Sequence, residues 1–573
     1  MLVLGLSFGY HDSGVALVED GEVRSFASEE RYSKNKNDAS FPQKALAATL
    51  IDAGVRLDDI DAIIYYEDPW LKADRVGAMA RQFAESREAY IEDVAKRWIS
   101  EDRISPIDTI ARRLRYPKDR IHFVEHHLSH AANAYYTSPF EEALVLTIDG
   151  VGEYETLSLW KGAGTKLTRL TSMKMPESIG LLYSTITAFC GFAVNEGEYK
   201  LMGLSAFGSS EQVDDIRDWT DLDSPAMKAS APGVTNTIVN SGLFSEDFID
   251  RFGKPFTKGQ DDHLDHRFTS MAASIQRLLE EKVCQFVSRE LARHNMQNLC
   301  FGGGVALNCN LNGRLRRSVA PNLYVPAAPG DSGSAIGCAL QHYYTVSKDV
   351  KKVSFPSPYL GRPVDTEYFE NLKNVLGARF DIESVPEGEM PSLIAESLVS
   401  GNVVGHMFGR FEMGPRALGN RSILADPRSA EMQERINIKI KNREPFRPFA
   451  PAILGDRASE FFEIPPISEL GVHAPEHFML CTHYATAKGR ECIPAAVHVD
   501  GTSRVQLVTE ELNQRFYNII NEFDKRTNVP AIINTSLNVS GQPMASDVSS
   551  GLFAFLNSDL DLLFVDNLVV RKK

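Results

Sequence analysis

His126 and His130 stand four residues apart in His126-His127-Leu128-Ser129-His130. On a helix that spacing projects both imidazoles from one face, where they can reach a single divalent ion. Further on, Asp149 closes the apolar run 144–148 and precedes Gly150. A carboxylate delivered by a strand end beside a glycine can join such a pair. Asp331, which follows a short strand-like run and a turn and opens a helix-like segment, is a second carboxylate candidate. Two imidazoles and two carboxylates make a mixed nitrogen and oxygen set that suits iron, manganese or zinc better than calcium. An isolated histidine pair at this spacing is more often an ordinary packed side-chain pair, and it is Asp149 that moves the balance toward a metal.

The elements that must position these groups can be read from pattern. Residues 120–124 read as a short strand and 131–136 as helix, so the histidines fall where a strand turns into a helix, a usual seat of functional residues in α/β folds. The chain opens with strand-like residues 2–7, then 14–26 with the hairpin signal Asp20-Gly21, and the theme recurs at 144–148, 156–160 and 166–170. A repeated strand-and-hairpin module separated by mainly helical pattern predicts a duplicated α/β unit with a cleft between its halves. A helical stretch at 268–294 leads into residues 299–308. There a strand, the triple glycine Gly302, Gly303 and Gly304, and a helix start ending at Asn308 form a backbone-amide cradle for phosphate, although a glycine cluster after a strand is as often a tight turn. Residues 196–204, with Lys200, and 331–337 read as further glycine-bearing loops able to line a nucleotide or acceptor cleft.

A chain of 573 residues exceeds one ordinary core and implies two or more domains. The polar, lysine-containing residues 344–358, ending Ser354-Phe-Pro-Ser-Pro358, are the best linker and divide the chain into domains 1–350 and 359–573. No apolar run approaches the roughly 18 residues of a membrane span. The opening residues are strand-like rather than a cleavable leader, so no membrane partner and a cytoplasmic location are expected. A formal net charge of −15 argues against a nucleic-acid partner held by phosphate neutralisation. The seven cysteines are odd in number and include no Cys-x-x-Cys, which indicates neither a disulfide framework nor a thiolate zinc site.

A second constellation lies toward the C-terminus. Arg416, Arg421, Lys441, Arg443 and Arg447 sit in or beside loops rich in Gly and Pro, where fixed directions suit phosphoryl or carboxyl oxygens. A structural arginine network bridging loops is the competing reading. Beyond it, the apolar run 531–533 ends in Asn534-Thr535-Ser536-Leu-Asn538, a cluster of short polar groups able to bond a base, ribose or phosphate, though Asn-Thr-Ser is also ordinary turn chemistry.

In order along the chain, Tyr10-His-Asp-Ser13, Ser28-Glu-Glu-Arg31, His126-His-Leu-Ser-His130, Asp149-Gly150, Lys200-Leu-Met-Gly203, Gly302-Gly-Gly-Val305, Gly414-Pro-Arg-Ala-Leu-Gly419, Arg447-Pro-Phe-Ala-Pro451 and Asn534-Thr-Ser536 resemble the O-carbamoyltransferase family, which includes nodulation-factor, cephem and tobramycin-type aminoglycoside carbamoyltransferases. The resemblance spans nearly the whole chain. It implies an actin-like (ASKHA, duplicated RNase H-like) N-terminal domain and a YrdC-like α/β C-terminal domain. It further implies that the second domain converts ATP and carbamoyl phosphate into carbamoyl adenylate, and that the first passes the carbamoyl group to a hydroxyl or amine of a small molecule or glycan. By this resemblance His126, His130, Asp149 and Asp331 hold a divalent metal, iron(II) first among them, and His11 lies beside the acceptor. Lys441, Arg447, Arg416, Arg504, Asn534 and Ser536 match positions that hold carbamoyl phosphate and the nucleotide, with Mg²⁺ or Mn²⁺ accompanying ATP. The chemistry is coherent: carbamate is a poor electrophile, a mixed anhydride with AMP is a good one, and an imidazole titrating near neutrality can serve as base toward the acceptor. Two alternatives remain. One is a tRNA threonylcarbamoyl transferase with fused adenylate synthase, which the acidic balance disfavours; the other is an actin-like ATP-binding scaffold, in which the C-terminal cations have no role. The acceptor is not encoded in motifs that handle the shared donor, and oligomeric state has no sequence signal, so a homodimer stays open.

Overall fold

The computed structural model describes residues 1–82, 105–220, 244, 246–353, 357–365, 367–369, 371, 380–444 and 446–573. Strand β1 (Leu2–Ser7) pairs antiparallel with β2 (Gly14–Glu19), which pairs with β3 (Glu22–Ser28). Asp20 and Gly21 between them both take positive φ, 49° and 84°, as a tight turn between twisted strands requires. On the other side of β1 run β4 (Ala62–Tyr65) and β5 (Ile121–Phe123), both parallel, giving the order β3-β2-β1-β4-β5.

The next five strands repeat this plan. β6 (Glu142–Ile148), β7 (Glu155–Ala163) and β8 (Lys166–Lys174) are antiparallel neighbours. β9 (Asn298–Gly302) and β10 (Asn322–Tyr324) run parallel to β6, giving β10-β9-β6-β7-β8. Two five-stranded sheets of the same order make the duplicated, actin-like α/β fold. Leu144, Val145, Leu146 and Ile148 of β6 are at most 1% exposed. Burying side chains of this kind is worth about 1.5–3 kcal/mol each, so the strand that carries Asp149 at its end is firmly anchored.

The helix His126–Tyr136 packs on the helix Asp331–Val346. Their approach is close enough that a Cβ on Gly337 would lie 1.8 Å from the Ser129 carbonyl oxygen. This contact brings Asp331, the first residue of its helix, against the histidine-bearing helix. The expected helix over 268–294 is His266–His294. Three local expectations are corrected. Residues around Lys200 form the helix Glu198–Leu204 rather than a loop, residues 331–337 are the first turns of the helix Asp331–Val346 rather than a glycine-bearing loop, and Tyr344, the expected start of the linker, still belongs to that helix. Of that linker, residues 354–356 lie outside the described residues.

The chain divides into two compact units, Met1–Glu29 with Asn37–Phe355, and Glu30–Lys36 with Pro356–Lys573. Residues 30–36, which a simple division by position places with the first, cluster with the second.

The second unit is built on β11 (Phe380–Ser384), β12 (Val404–Met407), β13 (Arg421–Ala425), β14 (Ala450–Leu454), β17 (Gln506–Val508), β18 (Ala531–Ser536), β19 (Leu562–Val565) and β20 (Leu568–Lys572), in the mixed order β11-β20-β19-β12-β13-β18-β14-β17. β15 (Thr482–Tyr484) and β16 (Thr502–Arg504) form a separate pair. Alternate residues of the central strands enter different cores. Leu424 and Ile532 pack with Ile394, Leu398, Phe516 and Phe523, whereas Ile423 and Ile533 pack with Ile436, Ile440, Leu552 and Phe555. Covering both faces explains why 531–533 is an unbroken apolar run. Among the described residues no helix is long and apolar enough to cross a membrane.

Candidate functional site

In the first unit, four donor atoms converge. His126 Nε2 and His130 Nε2 are 3.1 Å apart, and Asp149 Oδ2 lies 3.0 and 3.1 Å from them. Asp331 Oδ1 lies 3.6 Å from His126 Nε2 and 3.3 Å from His130 Nε2. Ligands about 2.1 Å from one ion at about 90–110° stand about 3.0–3.4 Å apart, so the spacing fits a common cation. The donor chemistry agrees. His130 Nδ1 faces Ser334 Oγ at 3.1 Å, which can fix the tautomer that leaves Nε2 as a lone pair. His127 turns away to Thr147 Oγ1 at 3.0 Å, and burial pushes its pKa well down, so it stays neutral.

The helix carrying the pair is anchored at its first turn. Glu153 Oε1 accepts from the His126 N–H (2.8 Å) and the Asp68 N–H (2.6 Å), placing a carboxylate at the amide-rich helix start. In the protein alone the cluster is a buried charge network. Burial works against a charged His130, but Asp149 and Asp331 outweigh it and hold its pKa at about 9. Burial likewise opposes ionisation of Asp149, yet His126 and His130 keep it well below the usual carboxylate range.

His11, in the loop after β1, has Nδ1 3.0 Å from Asp12 Oδ2 and Nε2 3.7 Å from Asp331 Oδ2. Burial lowers its pKa, but Asp331 and Asp12 outweigh that and raise it well above the ordinary imidazole value. The Tyr10 ring lies beside it at 4.7 Å, and Lys72, paired to the buried Glu67 at 2.5 Å, sits over Tyr10. Glu67 and Lys72 carry no sequence signal. Glu153 has a faint one, an acid in a glycine-bearing turn just after Asp149.

The triple glycine has reasons within the fold. Cβ atoms on Gly302, Gly303 and Gly304 would lie 2.9 Å from the His130 carbonyl oxygen, 2.4 Å from the Ile148 carbonyl oxygen and 2.9 Å from Asp149 Oδ1, and Gly303 has φ +90°. These residues let the turn after β9 close on the elements that carry His130 and Asp149. Asn308 caps the helix Cys309–Ser318 through the Leu311 N–H (3.0 Å) and exchanges amide bonds with Gln276 at 2.9 and 3.0 Å, so its side chain is already engaged. Lys200 places its ammonium over the Phe192 ring at 5.7 Å.

In the second unit, Lys441 is 4% exposed. Its ammonium donates to the Ser536 carbonyl, Asn538 Oδ1 (2.6 Å) and the Asn538 carbonyl (3.1 Å). Burial, then Arg443 and Arg447, push its pKa well below that of an ordinary lysine. It follows the π-helical turn Ile436–Ile440, a widened turn common at functional sites. Asn437 of that turn donates to the Arg447 carbonyl (3.0 Å) and accepts from Arg443 Nε (2.7 Å), which ties the three cations to one backbone.

The loop before β13 is folded by Glu412, whose Oε1 accepts from the N–H groups of Leu418 (2.8 Å) and Asn420 (2.7 Å). Arg421 is fully buried and donates to the carbonyls of Phe408, Asn420 and Gly409 at 2.8–3.0 Å, with burial pushing its pKa down to about 10. The structural-network reading therefore holds for Arg421. Half-buried Arg416 lies in this loop, and its neighbour Ala417 accepts from Asn534 Nδ2 (3.1 Å). Asn534 also donates to Gln506 (2.7 Å), and its buried Oδ1 has no hydrogen-bond partner. Arg504 lies on β16, just before the strand that carries Gln506. Thus the Arg416 loop meets Asn534 on β18, while Lys441 meets Ser536 two residues further along that strand. Asn538 belongs to the polar cluster that the sequence places at the end of this strand, whereas Gln506 has no signature in the sequence; its importance comes from register alone.

The family model described as "Carbamoyltransferase N-terminus" matches residues 2–340, and that described as "Carbamoyltransferase C-terminus" matches residues 395–572. An uncharacterised protein of Synechocystis sp. is 36% identical, over 100% of this chain and 96% of that one. The nodulation protein NolNO of Sinorhizobium fredii is 33% identical, over 100% of this chain and 83% of that one. NolO of Bradyrhizobium diazoefficiens is 35% identical, over 78% and 79%. Solved structures are more distant: component A of the Acidaminococcus fermentans (R)-2-hydroxyglutaryl-CoA dehydratase aligns with 61% of this chain and 100% of that one at 15% identity and TM-score 0.34, so the fold assignment rests on sheet topology. Both halves of one family description, in order, together with relatives above 30% identity over their lengths, establish that the chain belongs to the carbamoyltransferase family and is a transferase.

Proposed function

We propose that the second unit makes carbamoyl adenylate from carbamoyl phosphate and ATP, and that the first unit transfers the carbamoyl group to a hydroxyl or amine of a small-molecule or glycan acceptor. The observation that carries this reading is the presence of two chemically opposite clusters, acceptor atoms gathered within reach of one cation in the first unit, and the buried Lys441 with the half-buried Arg443 and Arg447 tied beside it in the second. In the second unit, water would cleave the bond between the carbamoyl group and phosphate, releasing inorganic phosphate and carbamate; the carbamate oxygen would then attack the α-phosphorus of ATP, and the bond to the β-phosphate would break with loss of pyrophosphate. Arg416, Lys441, Arg447 and Arg504 offset the charge on phosphate and pyrophosphate, and Asn534 and Ser536 orient the reacting groups. The unpartnered Asn534 Oδ1 is an acceptor available to a nucleotide or carbamoyl N–H.

In the first unit the acceptor oxygen or nitrogen attacks the carbamoyl carbon, the bond to AMP breaks, and the acceptor proton passes to His11. A base must be neutral, whereas Asp331 and Asp12 hold His11 protonated in the protein alone. The role therefore requires the charge of Asp331 to be engaged elsewhere. A divalent ion held by His126, His130, Asp149 and Asp331 would supply Lewis-acid stabilisation of the departing adenylate phosphate, with iron(II) the first choice for this donor set. Incubation with ATP and carbamoyl phosphate, without acceptor, tests the reading. Pyrophosphate and carbamoyl adenylate should accumulate, while ADP as the sole nucleotide product would favour an actin-like ATPase instead.

A further inference from the structure

The Ser28-Glu-Glu-Arg31 motif has no part in either half-reaction as described, yet Arg31 is only 4% exposed. It lies in Glu30–Lys36, the short N-terminal segment that belongs to the second unit. Its guanidinium donates to two backbone carbonyls, Gly414 through Nη2 (2.8 Å) and Met544 through Nη1 (3.3 Å). Gly414 lies two residues before Arg416 and has φ +81°. Next to Met544, the Ala545 N–H donates to the Leu537 carbonyl (2.9 Å), between Ser536 and Asn538, the partners of Lys441. The segment is held from its other side as well. Ser546 Oγ donates to the Arg31 carbonyl (2.6 Å), and Lys34 donates to that carbonyl (2.8 Å) and pairs with Asp547 (2.8 Å).

We infer that Arg31 is a positioning residue of the adenylate-forming site, clamping the Arg416 loop to the chain that follows Ser536 so that Arg416 and Lys441, whose ammonium Ser536 and Asn538 hold, are presented together. This rests on the proposed adenylation. A guanidinium withdrawn from water is costly unless its donors are used, and here they add a side-chain bridge between two segments that otherwise meet through the pairing of β13 with β18 and the Asn534–Ala417 bond (3.1 Å). A planar fork with donors on separate nitrogens in fixed directions can bridge two carbonyls from two sides; a lysine ammonium issues its three donors from one atom on a flexible stem and does not reproduce that geometry.

The test uses the full chain with Arg31→Gln and Arg31→Lys, each also combined with Arg416→Ala. Hydrogen exchange of peptides covering 409–420 and 537–545 is compared with that of β12 and β19 as an internal control. Protection should fall about tenfold or more in the first two segments and stay unchanged in the control strands, as for a local loosening. Isotope exchange between pyrophosphate and ATP, dependent on carbamoyl phosphate, should fall about ten- to a hundredfold in kcat with a smaller change in KM for ATP. The loss should be mostly absent when Arg416 is already alanine, because residues acting through one another are non-additive. Full multiplicativity with Arg416→Ala, or unchanged protection in both segments, overturns the inference. If Arg31→Gln does not fold, Arg31→Lys decides by the same two measurements, and wild-type protection in it counts against the clamp. A wild-type chain with no such exchange would defeat the adenylation reading alone, leaving the clamp to be judged on hydrogen exchange.

Discussion

At the scale of single residues, the side chains behind the charged groups matter as much as the groups themselves. Ser334 touches His130 only through Nδ1, yet that contact selects which nitrogen faces Asp149 and Asp331. Ser334→Ala should therefore lower metal affinity about 10–100-fold, the usual weight of such outer partners, without removing a ligand. A competition titration with a chelator reads this out, and an unchanged affinity would show that the tautomer is set another way. Lys441 supports a pH experiment. Its folded pKa lies well below the ordinary 10.5, so the ammonium that attracts anions is lost as pH rises through that lowered value rather than near 10.5. A bound anion favours the ammonium, and binding of carbamoyl phosphate should take up protons in that window. Calorimetry in two buffers of different ionisation enthalpy measures the uptake; identical heats, with Lys441→Arg indistinguishable from wild type, would count against it. The histidine pair, Asp149 and Asp331 were legible beforehand because spacing and strand ends are local properties. Glu67, Lys72 and Gln506 were not, since each matters only through a partner brought to it by register or by a turn.

At the scale of elements, period and turn chemistry were the readable part. The Asp20-Gly21 hairpin, the strand before the histidines and the repeat of the opening module all appear in the two five-stranded sheets. Glycine proved the ambiguous residue. Gly302, Gly303 and Gly304 suit an anion cradle in sequence, and in space they also relieve crowding against His130, Ile148 and Asp149. Gly197 and Gly203 made residues 196–204 look like a loop where the chain forms a helix. The same ambiguity supplies a test at Gly337. A methyl group there would lie 1.8 Å from the Ser129 carbonyl oxygen on the helix that bears His126 and His130. Backbone cannot yield as a side-chain tip does, so the two helices must separate, carrying Asp331 away from the other ligands. We expect Gly337→Ala to cost about 1–3 kcal/mol or more in chemical denaturation, and to weaken metal binding although no ligand has changed. Wild-type stability would mean that the helices tolerate a looser packing.

At the scale of the whole molecule, composition suggests a linker over 344–358, whereas no feature of the sequence places residues 30–36 with the second unit. No local pattern announces a contact between Arg31 and Gly414, because neither residue differs in type from those of an ordinary surface turn. The two-unit arrangement carries the most demanding prediction. If carbamoyl adenylate is made in one unit and used in the other, substitutions should separate the half-reactions. His126→Ala removes a proposed metal ligand and His11→Ala the proposed base, so both should stop transfer while leaving carbamoyl phosphate-dependent exchange between pyrophosphate and ATP near wild type. Lys441→Ala and Arg416→Ala should do the reverse. Deleting one charge-assisted contact is worth about 1.5–3 kcal/mol, roughly ten- to a hundredfold in exchange, yet either variant should still carbamoylate the acceptor when supplied with prepared carbamoyl adenylate. A single composite active site cannot yield this crossed pattern, since each substitution there would depress both steps together. The measurement is a matrix of four variants against two assays, with circular dichroism confirming that each is folded, and equal loss in both assays across all four would exclude a division of labour between the units.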